Sequence, residues 1–355
     1  MSIRLKPGLK RHHFAHPLDL SGMQGLLETI AKSKLFEGEL AGLQRDVQDE
    51  FYLLNLADNS KLGPNHGGSL HRLAADVAER LGAPAPTVFL DRASEVRSSA
   101  LGGTTPFLSF TSGLVDSFPE PAMRAVIGHE IGHIICEHTF YRLMAENHKV
   151  FAQIAGFVPL LGPIVSFGIV NELFAWYKKS ELSADRAALL ATGDITAVQD
   201  YILRIAGGSM KLAPELSLSE FEKQADELQT LVKQRHQQNV GRRLRFLVSY
   251  MILQNAIKPN PWPAVRFKAV TQWAKSRQYA CLLRGEYEHA AAIAEQEKAG
   301  DDVAMVFDLP TDDVKGYFDD LRNAATGAVT GLYNQVKAPI NWLIDEDGPE
   351  QGKTK

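Results

Sequence analysis

"VIGHEIGHII", residues 126–135, carries two histidines four apart, with a glutamate directly after the first. A helix turns about 100° per residue, so His129 and His133 share one face, one turn apart. Neutral imidazoles so placed can share one tetrahedral ion. Glu130 lies about 100° around from His129, where it need not ligate and is free to serve as a base toward an activated water. Two histidines on an ordinary helix surface would give the same letters. The apolar periodicity of Ala125, Val126, Ile131 and Ile134 favours a helix with a buried role instead. Pro119-Glu120-Pro121 predicts the start of this helix, since proline and acid both suit a first turn.

A catalytic zinc takes three protein ligands and keeps one position open. ELSAD, residues 181–185, offers the missing carboxylate. Glu181 and Asp185 lie one turn apart on a helix predicted from about Glu172 to Leu190. One of them can bind the ion, and the other can accept the second ring N–H of a ligand histidine. An isolated E-x-x-x-D is usually a solvated acidic face. Here Leu182, Ala184, Ala187, Ala188 and Leu189 predict a mostly buried helix, in which carboxylates need partners. Glu172 is a rival ligand without such a companion, and spacing alone does not assign the two roles within ELSAD.

The rest of the 355-residue chain is compatible with a globular enzyme. Hydrophobic residues make up 45% and charged residues 23%, and the net charge of −4 gives no field that would attract nucleic acid. Two cysteines, Cys136 and Cys281, exclude a disulfide scaffold and suit a reducing compartment. The opening residues lack the apolar run of a signal peptide, so the expected location is the cytoplasm. Residues 150–170, VFAQIAGFVPLLGPIVSFGIV, are uncharged and long enough to span a bilayer, but Pro159 and Pro163 interrupt them. They are read as a broken helical hairpin, with peripheral membrane contact as the second reading.

Before the motif, a helix carrying Leu70, Leu73, Ala74, Val77 and Leu81 should stop at Gly82. Thr87–Leu90 and Phe107–Thr111 read as strands. From residue 195 onward the pattern is nearly all helical, with a proline-rich break at 258–267. An amphipathic stretch at 314–332 precedes a polar tail. The fold class expected is α+β and predominantly helical. The divisions expected are an N-terminal helical region (1–60), a catalytic domain (61–280), a helical extension (281–345) and a disordered tail (346–355).

HEIGH followed by ELSADRAA resembles the HtpX-like family of zinc metallopeptidases, which includes the CAAX prenyl endopeptidases and has soluble bacterial members with a part in protein quality control. VFLDRASEVRSSALGG and PFLSFTSGLVDSF resemble the strands ahead of that family's active site, and the likeness covers roughly 60–280. It implies a gluzincin-type core with the motif helix beneath a small sheet. It also implies one Zn2+ per chain held by His129, His133 and Glu181, with Glu130 as general base and Asp185 behind the ligands. An extended protein or peptide substrate would then pair along an edge strand near Phe107–Thr111. The chain departs from the family at Ser99-Ala100, where many relatives have Asn-Ala, and at Asn260-Pro261 ahead of Arg266, where many have His-Pro. The alternative function is a non-proteolytic zinc-containing adaptor or holdase, against which the intact Glu130 argues.

Other residues receive simpler readings. Cys136 is expected to be a small packing residue, and His138 to point away from the metal face. Arg186 and Arg266 suit buried ion pairs better than transition-state contacts. His12, His13 and His16 suggest a flexible basic N-terminus, and the cluster Lys233, Arg235, Arg242, Arg243, Arg245 a solvated face.

Overall fold

The computed structural model describes residues 5, 7–32, 37–102, 105–147, 167–207, 211–237 and 262–296. Residues 148–166, the greater part of the expected hairpin, lie outside them, as do Asn260-Pro261, most of the basic cluster and everything after 296. In chain order the elements begin with α1 (Arg11–Phe14), α2 (Pro17–Lys32), α3 (Glu37–Asp58), β1 (Ser60–Lys61) and α4 (Gly68–Leu81). Next come β2 (Thr87–Asp91), β3 (Ser98–Leu101), β4 (Phe107–Thr111), α5 (Ser112–Ser117), α6 (Glu120–Ile135) and α7 (Thr139–Glu146). α8 (Phe167–Thr192), α9 (Ile195–Gly207), α10 (Leu218–Gln237), α11 (Pro263–Trp273), α12 (Arg277–Arg284) and α13 (Tyr287–Gln296) complete the series. The described residues are thus mostly helical with one small sheet, as the sequence predicts.

The sheet has the order β1-β2-β4-β3. β1 pairs antiparallel with β2, β2 parallel with β4, and β4 antiparallel with β3. The edge strand is therefore not where the sequence placed it. Phe107–Thr111 is an interior strand, hydrogen-bonded on both sides. Its near-continuous burial, with Phe107, Leu108 and Phe110 fully enclosed, is what an interior strand requires. The edge nearest the motif helix is Ser98–Leu101, a stretch whose two serines hide its strand character. Phe89 and Phe107 meet edge to face at 5.5 Å on neighbouring strands and fill the face toward α3.

The N-terminus is also not a loose basic arm. Leu5, Leu9, Phe14 and Ala15 join the main core, and His13 and His16 are buried. The carbonyls of Phe14 and Ala15 accept hydrogen bonds from Arg186, and Gln278 donates to the carbonyl of His13. Arg186, expected in an ion pair, thus ties backbone oxygens of the N-terminal segment to α8 and stacks over Trp273.

At the centre α6 lies along α8 with small residues at the contact. Gly128 and Gly132 each precede a motif histidine. A methyl group at Gly128 would come 2.4 Å from the Ala191 side chain and 3.1 Å from the Ala188 backbone. One at Gly132 would come 2.5 Å from Ala187 and 3.2 Å from the Ala184 backbone. The glycines let the two backbones approach until small side chain meets backbone, which close-packed interiors reward. That approach sets His129 and His133 opposite the carboxylates of α8.

Gly132→Ala should therefore force the helices apart and cost about 1–3 kcal/mol, the usual penalty of overpacking. Gly25→Ala, on α2 with nothing within 4 Å of the added carbon, should leave stability unchanged or raise it by up to ~1 kcal/mol. Urea denaturation of the two variants checks this, and equal midpoints would show that the α6–α8 contact is not the tight one.

Candidate metal centre

Five buried side chains of α6 and α8 meet at the centre of the fold. His129, His133 and Glu130 come from α6, and Glu181 and Asp185 from α8. The two histidine Nε2 atoms lie 3.1 Å apart. Glu181 Oε2 is 3.5 Å from His129 Nε2, and Glu181 Oε1 is 3.4 Å from His133 Nε2. The structure thus brings together His129, His133, Glu181 and Asp185, as the sequence predicts. Among the described residues the first three form one of the His/Glu groups able to enclose a cation.

Donors and acceptors around the rings give the group its character. His129 Nδ1 lies 3.0 Å from Asp185 Oδ1, a carboxylate that can only accept, so the ring proton sits on Nδ1. In the neutral ring, Nε2 of His129 is then a bare lone pair. His133 Nδ1 lies 3.0 Å from His138 Nδ1. Both Glu181 oxygens are buried without a hydrogen bond at good geometry. Lone pairs of imidazole and carboxylate aimed at one another repel unless a positive charge lies between them. The residues therefore fit a cation, and two nitrogens with one carboxylate suit a transition ion such as zinc.

Two arginines offset most of the carboxylate charge from just behind the group. Arg266 makes a bidentate contact to Asp185, Nε to Oδ2 and Nη2 to Oδ1, both at 2.8 Å. Its Nη1 lies 3.0 Å from Glu181 Oε2, and its Nη2 donates to Tyr201 Oη at 2.9 Å. Arg142 Nη2 lies 3.5 Å from Glu181 Oε1, and its Nη1 donates to Glu130 Oε2 at 3.3 Å. Burial pushes the Glu181 carboxyl up, but Arg266, Arg142 and His129 outweigh it and hold its pKa well below the usual range. Burial likewise opposes the charge on Asp185, and Arg266 again prevails. Burial and Arg142 keep His133 neutral, as a ligand must be. At His129 burial is outweighed by Glu181 and Asp185, and the pKa rises. Three buried carboxylates against two guanidiniums leave an unmatched negative charge, which also suits a cation.

Glu130 stands beside the His129, His133 and Glu181 group and not within it. Ser98 Oγ donates to its Oε1 at 2.6 Å, and Arg142 takes its Oε2. The edge strand thus reaches Glu130 directly, through the residue next to Ser99-Ala100. Arg266 is the buried ion-pair residue that the sequence suggests. Cys136 caps α6 within the core and groups with Asp19 and His138.

His138 overturns its expected position. The projection that turned it away assumed a continuing helix, but α6 ends at Ile135 and Glu137 takes a left-handed backbone with φ 60°. The reversal brings His138 back against His133. Arg142, Ser98, Asp19 and Tyr201 were not singled out by the sequence. An arginine four residues ahead of a glutamate on a predicted helix signals only a local pair.

Comparison with known proteins places this geometry. The profile of peptidase family M48 matches residues 64–274, more than half of the chain. The "Plastoglobule-localized metallopeptidase 48, chloroplastic" of Arabidopsis thaliana is 27% identical over 275 residues, covering 76% of this chain and 75% of that protein. A "Protease HtpX homolog" of Trichormus variabilis is 28% identical over 102 residues, covering 28% of this chain and 33% of that protein. No solved structure matches the chain.

Arg266→Met should destabilise the fold by about 3–5 kcal/mol, because Glu181 and Asp185 would lose their main compensating charge while staying buried. Chemical denaturation measures it. A loss below ~1 kcal/mol would mean that the two carboxylates are compensated elsewhere.

Proposed function

The chain belongs to peptidase family M48 and is a metal-dependent protease; we propose that it is a zinc endopeptidase in which His129, His133 and Glu181 hold one Zn2+ and Glu130 is the general base. The observation that carries the reading is the convergence of buried lone pairs at His129, His133 and Glu181, with a further carboxylate beside them. A purely structural site has no use for that neighbour. Zinc held there supplies a Lewis acid that brings the pKa of water to about 7 and polarises a scissile carbonyl.

The chain's own residues supply the rest. Asp185 fixes the ring of His129 through Nδ1, and Arg266 fixes Asp185. Glu130 takes the proton of the attacking water and returns it to the leaving amine. Ser98 and Arg142 each engage one of its oxygens, which leaves a lone-pair site on each for that proton. The substrate is an extended segment of protein or peptide. Its natural seat is the edge strand Ser98–Leu101, whose outer side is unpaired among the described residues and whose first residue touches the base.

Among the described residues no helix is long and apolar enough to cross a membrane. Contact with an apolar surface through 150–170 is part of the proposal, and the name of the plastoglobule-localised relative agrees with it.

Glu130→Gln should retain zinc and the fold while peptidase turnover falls by about 10²–10⁴-fold. Glu181→Ala should lose zinc and activity together, and Asp185→Ala should weaken zinc by roughly 10–100-fold. Metal analysis and casein cleavage with and without a chelator test all three. Full turnover in zinc-loaded Glu130→Gln would remove Glu130 as the base, and full zinc in Glu181→Ala would reassign the third ligand.

A further inference from the structure

His129 and His133 are held by different partners. His129 leans on Asp185, four residues beyond Glu181 on the same helix. The Nδ1 of His133 instead faces His138, 3.0 Å away, which is itself fully buried. Behind His138 stands Asp19, with Oδ2 3.0 Å from His138 Nε2. Asp19 belongs to α2, ahead of the 64–274 span that matches the family.

Asp19 is fully buried and firmly placed. Trp176 Nε1 donates to its Oδ1 at 2.9 Å, and Ser183 Oγ to its Oδ2 at 2.6 Å. Ser183 in turn accepts from the backbone N–H of His16 at 2.8 Å. The ring of Trp176 also stands edge to face against His138, at 5.3 Å. Burial opposes the charge on Asp19, but His138 and Ser183 outweigh it and bring its pKa to about 2. It is a carboxylate at any working pH.

The Asp19 carboxylate can only accept, so its 3.0 Å approach to Nε2, short of hydrogen-bond alignment, favours the His138 proton on that nitrogen. In the neutral ring Nδ1 of His138 is then an acceptor, and the 3.0 Å contact between the two rings is made by a proton on His133 Nδ1. That leaves Nε2 of His133 bare and aimed at Glu181, the state a metal ligand needs. Asp19, His138 and His133 thus form one line of buried contacts, each 3.0 Å from the next.

We propose that Asp19 and His138 are positioning residues of the metal centre, setting the tautomer and orientation of His133 as Asp185 does for His129. The N-terminal helix α2 is thereby a working part of the site. The proposal rests on the zinc reading above, and it adds a carboxylate from outside the matched region.

Asp19→Asn and His138→Gln test it in the full-length chain. Zinc affinity is read by competition with a chromophoric chelator, the coordination by the visible spectrum of the Co2+-substituted protein, and the fold by melting of the metal-free protein. Both variants should bind zinc about 10–100-fold more weakly. The cobalt spectrum should shift, and metal-free melting should stay near that of the unaltered chain. Unchanged affinity and spectrum in both folded variants would overturn the proposal. So would failure of both to fold, which would assign the pair to the core. Glu181→Ala runs alongside. If it keeps full zinc, the ligand reading has failed. If it loses zinc while Asp19→Asn and His138→Gln do not, only the present proposal has.

Discussion

The centre depends on the approach of two helices whose contact is made from almost nothing. Gly128 and Gly132 on α6 face Ala184, Ala187, Ala188 and Ala191 on α8. Small side chains bring the axes together, and ligand atoms that extend only a few bonds from each backbone can then meet. The pattern is economical: on α6 each glycine is followed at once by a histidine, so the contact residues and the candidate ligands advance together along the helix. Widening the gap by one methyl group would move both imidazoles away from Glu181.

Such closeness buries acids and bases together, and the surroundings are arranged to tolerate it. Glu181 and Asp185 are fully enclosed, and each faces Arg266. Arg142 spans Glu130, Glu146 and Glu181. A buried charge is tolerable only when paired and hydrogen-bonded. These guanidiniums are accordingly packed against aromatic rings, Arg266 over Tyr201 and Arg142 over Tyr177. The residual negative charge is concentrated on the lone pairs that face one another.

Much of this was legible in the sequence, for local reasons. Helical spacing gives His129, His133, Glu181 and Asp185 their faces, and the alanine-rich run after Glu181 gives burial. Proline, acid and glycine mark the ends of α4 and α6. The strands at Thr87–Leu90 and Phe107–Thr111 were placed correctly, but the second was taken for the edge of the sheet and lies inside it. Strand order is a property of pairing, and one strand does not state which side of it is covered. Ser98–Leu101 escaped notice because serines are weak strand formers. His138 was misplaced because helical projection was carried past the end of the helix. Asp19 carried no signal, since a lone aspartate in the first turn of a helix is explained by the helix dipole. The histidines near the N-terminus were taken for a basic arm because each apolar neighbour there, Leu5, Leu9 and Phe14, looks solitary until the fold collects them.

The wide separation of partners has a consequence for how the chain is made. Asp185 must wait through 81 further residues before Arg266 exists to meet it. A chain emerging from the ribosome carries both motif histidines and both acids of α8 long before it has that counter-charge. Until then Glu181 and Asp185 cannot be enclosed without severe cost, so α6 and α8 cannot close on each other. Contacts of such sequence separation form late. Closure of α6 on α8 therefore depends on α11, a segment that follows both of them in the chain.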